Sequence, residues 1–98
     1  MNVASVTDIV PGTSKQVMVG AQPVALFNVG GMFYALDDVC PHAGCPLSEG
    51  GLDGTTLTCS CHGSRFDVTN GALLGGPATR AARSFRVRVT GADLDVLT

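Results

Sequence analysis

The stretch CPHAGC at Cys40–Cys45, together with CSCHGS at Cys59–Ser64, decides how this sequence is interpreted. The two stretches hold all four cysteines and both histidines of the chain, and sixteen residues separate His42 from Cys59. Each stretch offers a thiol and an imidazole at very short spacing, and such a pair cannot easily wrap around a single tetrahedral metal ion. The donors can instead reach two neighbouring irons, if both thiolates bind one iron and both imidazoles bind the other.

Outside these two stretches the sequence has the pattern of an all-β domain. Glycine is abundant, at 13 of 98 residues, and short β-branched runs alternate with turn signals, whereas long helical patterns are absent. Between Asp38 and Gly54 the strand pattern stops. Gly30-Gly31 predicts a tight hairpin turn, and Asn70-Gly71 predicts another. The predicted strands are Val3–Val6, Lys15–Val19, Pro23–Val29, Met32–Leu36, Thr56–Cys59, Arg65–Val68, Phe85–Thr90 and Leu94–Leu97.

The length of the chain limits the kind of domain that it can form, and its charge limits the class of partner that it can bind. A chain of 98 residues allows one compact domain with a thin core, and such domains commonly depend on a bound metal or a crosslink. The formal net charge of −2 argues against nucleic acid as a partner. One basic cluster stands out, and we interpret it either as a solvated face or as a docking patch for an acidic partner protein. Its members are Arg80, Arg83, Arg86 and Arg88.

The spacing of the metal-binding residue types resembles that of the Rieske family of iron–sulfur proteins. That family has the signature C-x-H, about sixteen residues, then C-x-x-H, and here the second half continues into GSRFD at residues 63–67. The resemblance implies one Rieske-type 2Fe-2S cluster as cofactor. It places Cys40 and Cys59 on an inner iron, and His42 and His62 on an outer, exposed iron.

The resemblance also implies the architecture. We expect an antiparallel β-sandwich or barrel with a small inserted cluster-binding subdomain. The single domain would cover residues 1–98, with a base sheet over about 1–37 and 80–98 and the cluster-binding subdomain over about 38–79.

Other family features fall on residues that do not bind the cluster. High-potential members join two extra cysteines in a disulfide that clamps the two loops, which here would be Cys45 and Cys61; two buried free thiols are the alternative. Ser64 matches a serine whose hydroxyl donates a hydrogen bond to a bridging sulfide and raises the reduction potential. Phe66 stands where the highest-potential members have a tyrosine that donates to a ligand cysteine. Gly76-Pro77 resembles a loop that covers the cluster.

The same residues could serve two other kinds of site, a structural zinc site or a thiol-redox site. Two cysteines and two histidines are also a common ligand set for structural zinc. Zinc fingers, however, usually place the two cysteines in one half of the motif and the two histidines in the other, whereas here each half contains one cysteine and one histidine. A thiol-redox site at Cys59-Ser60-Cys61 has the wrong spacing, since the familiar redox motif has two intervening residues and precedes a helix.

The expected function is one-electron transfer without catalysis by the chain alone, because the sequence carries no dinucleotide fingerprint and no mononuclear iron triad. The leading hypothesis is a ferredoxin that passes electrons from a reductase to an oxygenase, docking its partners at the His42/His62 edge. The alternatives are a Rieske subunit or excised domain of a larger respiratory or oxidase complex, and a redox-sensing binding module.

The sequence predicts no membrane span, because no apolar run approaches the ~20 residues that cross a bilayer. We expect a cytoplasmic protein if the chain is complete. If it is an excised domain, an exported or membrane-associated location is expected instead.

Overall fold

The computed structural model describes residues 2–39, 45–61, 63–76 and 80–97. Within these residues the chain forms ten strands, all paired antiparallel, and two short 3-10 helices at Val6–Asp8 and Leu47–Glu49. The predicted all-β fold is therefore confirmed. The strands are β1 (Asn2–Ser5), β2 (Ser14–Val19), β3 (Gln22–Val29), β4 (Met32–Asp37), β5 (Gly51–Asp53), β6 (Thr56–Thr58), β7 (Arg65–Asp67), β8 (Leu73–Gly75), β9 (Ser84–Thr90) and β10 (Asp93–Leu97).

The strands form two sheets that divide the chain by position. The six-stranded sheet takes strands from both ends of the sequence, in the order β1-β10-β9-β4-β3-β2. The four-stranded sheet takes the middle of the sequence, in the simple order β5-β6-β7-β8. Both predicted cysteine-containing stretches fall in this middle part of the sequence, and the second lies between β6 and β7.

Strand β3 is buried on both faces, which explains its nearly continuous apolar run. Ala25 and Phe27 face one core cluster, in which they pack with Leu57 and Phe66 of the smaller sheet. Val24 and Leu26 alternate with them and belong to a second cluster. That second cluster is completed by residues of the larger sheet and its edge, including Ile9, Val17, Ala35, Leu94 and Val96.

The turn between β3 and β4 is the one that the sequence predicts. Gly30 and Gly31 both have positive φ, at 59° and 93°, as a two-residue hairpin loop with the twist of the flanking strands requires. Asn28 supports this turn, because its buried side chain accepts a hydrogen bond from the backbone N–H of Gly31 at 2.8 Å and donates one to the carbonyl of Ile9 at 2.7 Å. The position of this hairpin fixes the register that leads into Asp38.

Several predicted boundaries were wrong. Strands β5 and β8 were not predicted, and β5 lies inside the stretch where the strand pattern was expected to stop. Each has only three residues and contains a glycine, so neither carries a strand signal of its own, and both exist because a neighbouring strand pairs with them. Val6 was predicted to be in a strand, but β1 ends at Ser5, whose N–H donates to Asp8 as a 3-10 helix begins.

In the part of the chain that the structure describes, no helix has the length and apolar character that spanning a bilayer would require.

Candidate metal centre

Of the four predicted ligands, Cys59 lies within the described residues. It follows β6 directly and is buried, packing in the core cluster beside Leu57 and Phe66. The predictions for Cys40, His42 and His62 fall outside the described residues, as does the one for Pro77. The ligand set as a whole therefore stays a prediction.

The loop that starts at Cys59 is closed by its own backbone. The N–H of Cys59 donates to the carbonyl of Ser64 at 2.7 Å, and the N–H of Gly63 donates to the carbonyl of Cys59 at 3.2 Å. These two bonds close the connection between β6 and β7 over a few residues. A thiol at position 59 is therefore held at the junction between the core and this loop.

A disulfide joins Cys45 to Cys61 and so confirms the predicted pairing. The two Cα atoms are 6.4 Å apart, within the usual range for a disulfide. Cys45 is partly buried against the core cluster that contains Cys59, whereas Cys61 is exposed. The bond therefore joins one residue from each of the two predicted donor segments.

Asp38, two residues before Cys40 in the sequence, is the centre of a buried hydrogen-bond network that the sequence analysis did not single out. Asp38 follows β4 and is the one charged side chain among the described residues that is buried, with 2% of its surface exposed. Its carboxylate accepts hydrogen bonds from the backbone N–H of Ser48 at 2.6 Å and from the Ser48 hydroxyl at 2.7 Å. It also accepts one from the side-chain amide of Gln16 at 2.7 Å.

Ser64 and Gly76 meet at the side of the second loop. Ser64 is buried, with 1% of its surface exposed. Gly76 has a φ of +93°, and a Cβ at this position would lie 2.5 Å from the Cα of Ser64 and 2.9 Å from the carbonyl oxygen of Gly63. Position 76 therefore requires glycine both for its backbone conformation and for the close approach to the loop.

Phe66 is fully buried in β7, opposite Leu57 of β6. Its ring belongs to the core cluster that also contains Cys59. A phenylalanine side chain has no hydroxyl, so position 66 contributes packing and no hydrogen-bond donor.

The donor chemistry of the described part suits a cluster with sulfur ligands. Cys59 supplies a buried thiol at the base of a closed loop, and the disulfide keeps the neighbouring segment next to that loop. No group of three or more potential metal ligands forms among the described residues alone, since three of the four predicted ligands lie outside them. The described residues fit an iron–sulfur cluster and leave the rest of the ligand set to experiment.

The arginine cluster lies at the surface, and all four of its members are exposed. Arg83 lies over the ring of Phe85, with its guanidinium carbon 5.0 Å from the ring centre. Arg88 approaches Asp95 of the neighbouring strand at 3.6 Å, but Arg88 is 62% exposed, so this pair adds little to stability. Arg86 and Arg88 thus lie on a solvated face of β9, whereas Arg80 and Arg83 are exposed in the chain before that strand.

The chain matches the family model described as the Rieske [2Fe-2S] domain over residues 1–86. It is 39% identical to ferredoxin CarAc of Metapseudomonas resinovorans, an alignment that covers 98% of this chain and 91% of that protein. It is 41% identical to the biphenyl dioxygenase ferredoxin subunit of Pseudomonas sp. strain KKS102, over 92% of this chain and 84% of the relative.

The fold agrees with a solved structure. A chain in the complex of reduced oxygenase and oxidized ferredoxin from carbazole 1,9a-dioxygenase superposes on this chain with a TM-score of 0.93 at 39% identity. That superposition covers 99% of this chain and all of the other.

Proposed function

This chain belongs to the Rieske [2Fe-2S] domain family, and on that premise we propose that it is a ferredoxin component that carries single electrons from a reductase to an oxygenase. Its cofactor is one Rieske-type 2Fe-2S cluster. The observation that carries the proposal is the identity of 39% and 41% to two ferredoxin components, over 98% and 92% of this chain. The disulfide does not distinguish this role, because the resemblance associates it with high-potential members and so with the alternative of a subunit of a larger complex.

We propose Cys40 and Cys59 as ligands of the inner iron, and His42 and His62 as ligands of the outer iron. Two ferric ions, two sulfides and two thiolates sum to zero charge, so the reduced form carries one negative charge. Neutral histidine ligands make this extra electron easier to hold than thiolates would, and Rieske centres accordingly span about −150 to +300 mV. The thiol of Cys59, buried at the core, suits the inner position.

We propose that partner proteins dock at the edge formed by His42 and His62. Cys61 and Gly63, which flank His62 in the sequence, are both exposed, as is Val39 near the start of the first segment. Electron transfer weakens steeply with distance, so an edge close to the outer iron is the favourable contact for both donor and acceptor. The exposed arginine cluster on and before β9 is a second candidate contact, for an acidic partner surface.

The two sheets suggest that two parts of the chain have different roles. We propose that the larger sheet, with the segments 1–37 and 80–98, is the base of a single domain and that residues 38–79 form the cluster-binding subdomain. We further propose a cytoplasmic location. Since cytoplasmic thiols keep most cysteines reduced, trapping cellular thiols by rapid alkylation and analysing the peptide that contains Cys61 tests whether the disulfide persists there.

The test of electron transfer is a reconstituted reaction. The purified chain is combined with the reductase and oxygenase of a carbazole or biphenyl dioxygenase system, and product formation is followed as its concentration is raised. We expect product to depend on the chain, and the Cys59→Ser variant, which should lack the cluster, to give only background. Full cluster content without electron delivery to any of these oxygenases would contradict the proposal and favour a redox-sensing module.

A further inference from the structure

We propose that Asp38 is a positioning residue that closes the base of the segment carrying Cys40, His42 and Cys45, and thereby sets the environment of the cluster. This inference rests on the ligand set in the proposed function. It goes beyond that function because Asp38 binds nothing in the proposed scheme and acts through the segment that it closes.

The first support is the geometry of the carboxylate. Asp38 accepts three hydrogen bonds from two residues that are far from it in sequence, ten positions away at Ser48 and twenty-two positions away at Gln16. Both carboxylate oxygens are used, and the side chain is almost completely buried. A buried carboxylate with donors on both oxygens is tightly fixed, because moving it would leave a charge and several polar groups without partners.

The second support is where these bonds lie along the chain. Asp38 stands directly before the segment 39–47, and Ser48 stands directly after it, so the pair closes this segment at both ends. The closed base is attached to the larger sheet as well. The N–H of Asp38 donates to the carbonyl of Pro23 at 3.1 Å, and the hydroxyl of Ser14 donates to the carbonyl of Ser48 at 2.7 Å.

The third support is the short 3-10 helix at Leu47–Glu49. The first N–H groups of a helix need acceptors, and the residue before this helix is Pro46, which has no polar side chain to offer. Asp38 supplies the acceptor for the N–H of Ser48 from across the segment. The same carboxylate thus completes the helix start and closes the segment.

The consequence for the cluster follows from chain length. Asp38 is two residues before Cys40, and two residues of chain span at most about 7 Å. A displacement of Asp38 therefore reaches a proposed ligand with little chain to absorb it. Cys45, on the other side of the proposed ligands, is joined to Cys61 by the disulfide, so the described residues that flank positions 40–44 are each tied to another part of the chain.

The experiment compares four variants as purified holo protein. Asp38→Ala removes all three acceptor contacts, Asp38→Asn keeps one carbonyl acceptor in the same shape, and Ser48→Ala removes a single hydroxyl donor. Asp37→Ala is the matched control, because Asp37 is the adjacent carboxylate and its side chain makes no hydrogen bond or ion pair among the described residues. The measurements are the rate of cluster loss to a chelator, the EPR spectrum of the reduced protein and the reduction potential.

We expect Asp38→Ala to lose its cluster about tenfold to a hundredfold faster than the wild type, the range found when residues that support metal ligands are removed. Its EPR spectrum and potential should also shift, which a purely global loss of stability would not cause. Asp38→Asn and Ser48→Ala should fall between Asp38→Ala and the wild type, and Asp37→Ala should match the wild type in cluster retention and EPR spectrum.

Two results separate this inference from the proposed function. If the wild type itself lacks a Rieske-type EPR spectrum, the proposed function fails. If the wild type has that spectrum but Asp38→Asn, Ser48→Ala and Asp37→Ala all match it, Asp38 does not position the segment, and this holds even if Asp38→Ala fails to fold.

Discussion

The loop that begins at Cys59 and the residues that flank positions 40–44 are held by different kinds of hydrogen bond. The loop that begins at Cys59 is closed by backbone hydrogen bonds to Ser64 and from Gly63, a few residues away in the same hairpin. The segment before Ser48 is closed instead by side chains, through Asp38 and through partners on distant strands. The second loop thus depends mainly on backbone conformation, whereas the first depends on the identity of particular polar residues.

This difference indicates which substitutions would remove the closing hydrogen bonds of each segment. Side-chain substitutions on the surface of the second loop leave its two closing bonds in place, because backbone groups make them. In the first segment, one substitution at Asp38 removes several bonds together. The predictions below test this contrast, beginning with the largest expected effect.

Replacing Cys59 with Ser should abolish cluster binding, because the backbone bonds of the loop remain but the proposed thiolate ligand is gone. Iron and acid-labile sulfide analysis of the purified variant is the measurement, with far-UV circular dichroism to verify that the strands persist. Ser60→Ala is the control in the same loop and should keep a full complement of iron. Retention of wild-type iron by Cys59→Ser would remove Cys59 from the ligand set.

Breaking the link between the two segments should have the next largest effect. Cys45→Ser should lower the free energy of unfolding by about 3 kcal/mol, since the bond closes a loop with a sequence separation of 16 residues. Chemical denaturation measures the change. Cys61→Ser and the double variant should show the same loss, because all three lack one and the same bond, and a much larger loss in the double variant would mean that the thiols have separate roles.

Replacing Gly76 with Ala should destabilise the protein by about 2 to 3 kcal/mol, from strain at positive φ and from the collision with the backbone of Ser64. The matched control is Gly31→Ala, which has the same φ of +93° but nothing within 4 Å of the added methyl group. Thermal unfolding of both variants isolates the close approach as the difference between them. Equal losses of stability in the two variants would show that the close approach of position 76 to Ser64 adds nothing to the destabilisation.

The smallest effect is expected at Ser64, where loss of a hydrogen bond to the cluster should lower the reduction potential. A bond of about 1.4 kcal/mol corresponds to about 60 mV for one electron, so Ser64→Ala should fall by up to about that amount. Protein-film voltammetry measures the shift. The exposed neighbour Ser60 provides the control, since Ser60→Ala should leave the potential unchanged, and an unchanged potential in Ser64→Ala would exclude the hydrogen bond.

The parts of the fold that local sequence determines were predicted well. The apolar run of β3, the pair Gly30-Gly31 and the start of β4 all carry their signal within a few residues, and the structure places strands and turn there. Strands β5 and β8 were missed because three residues with a glycine among them give no periodicity to detect. Their pairing is a property of the neighbours β6 and β7.

The candidate site shows the same division between local and distant determinants. Spacing along the chain was enough to find the two donor segments, but four cysteines allow three pairings, and only the resemblance to a family selected Cys45 with Cys61. The Asp38 network could not be found from spacing, because its partners lie ten and twenty-two residues away and are ordinary polar residues. The ligand roles of Cys40, His42, Cys59 and His62 remain predictions.

Strand β3 lies between two hydrophobic clusters and contributes side chains to both. Phe27 packs in one cluster, and Leu26, the adjacent residue of the strand, packs in the other. Substitutions at these two positions would therefore disturb different clusters. Unfolding of either cluster would expose one face of this shared strand to solvent. The stability of the cluster that contains Cys59 therefore depends on a strand of the larger sheet.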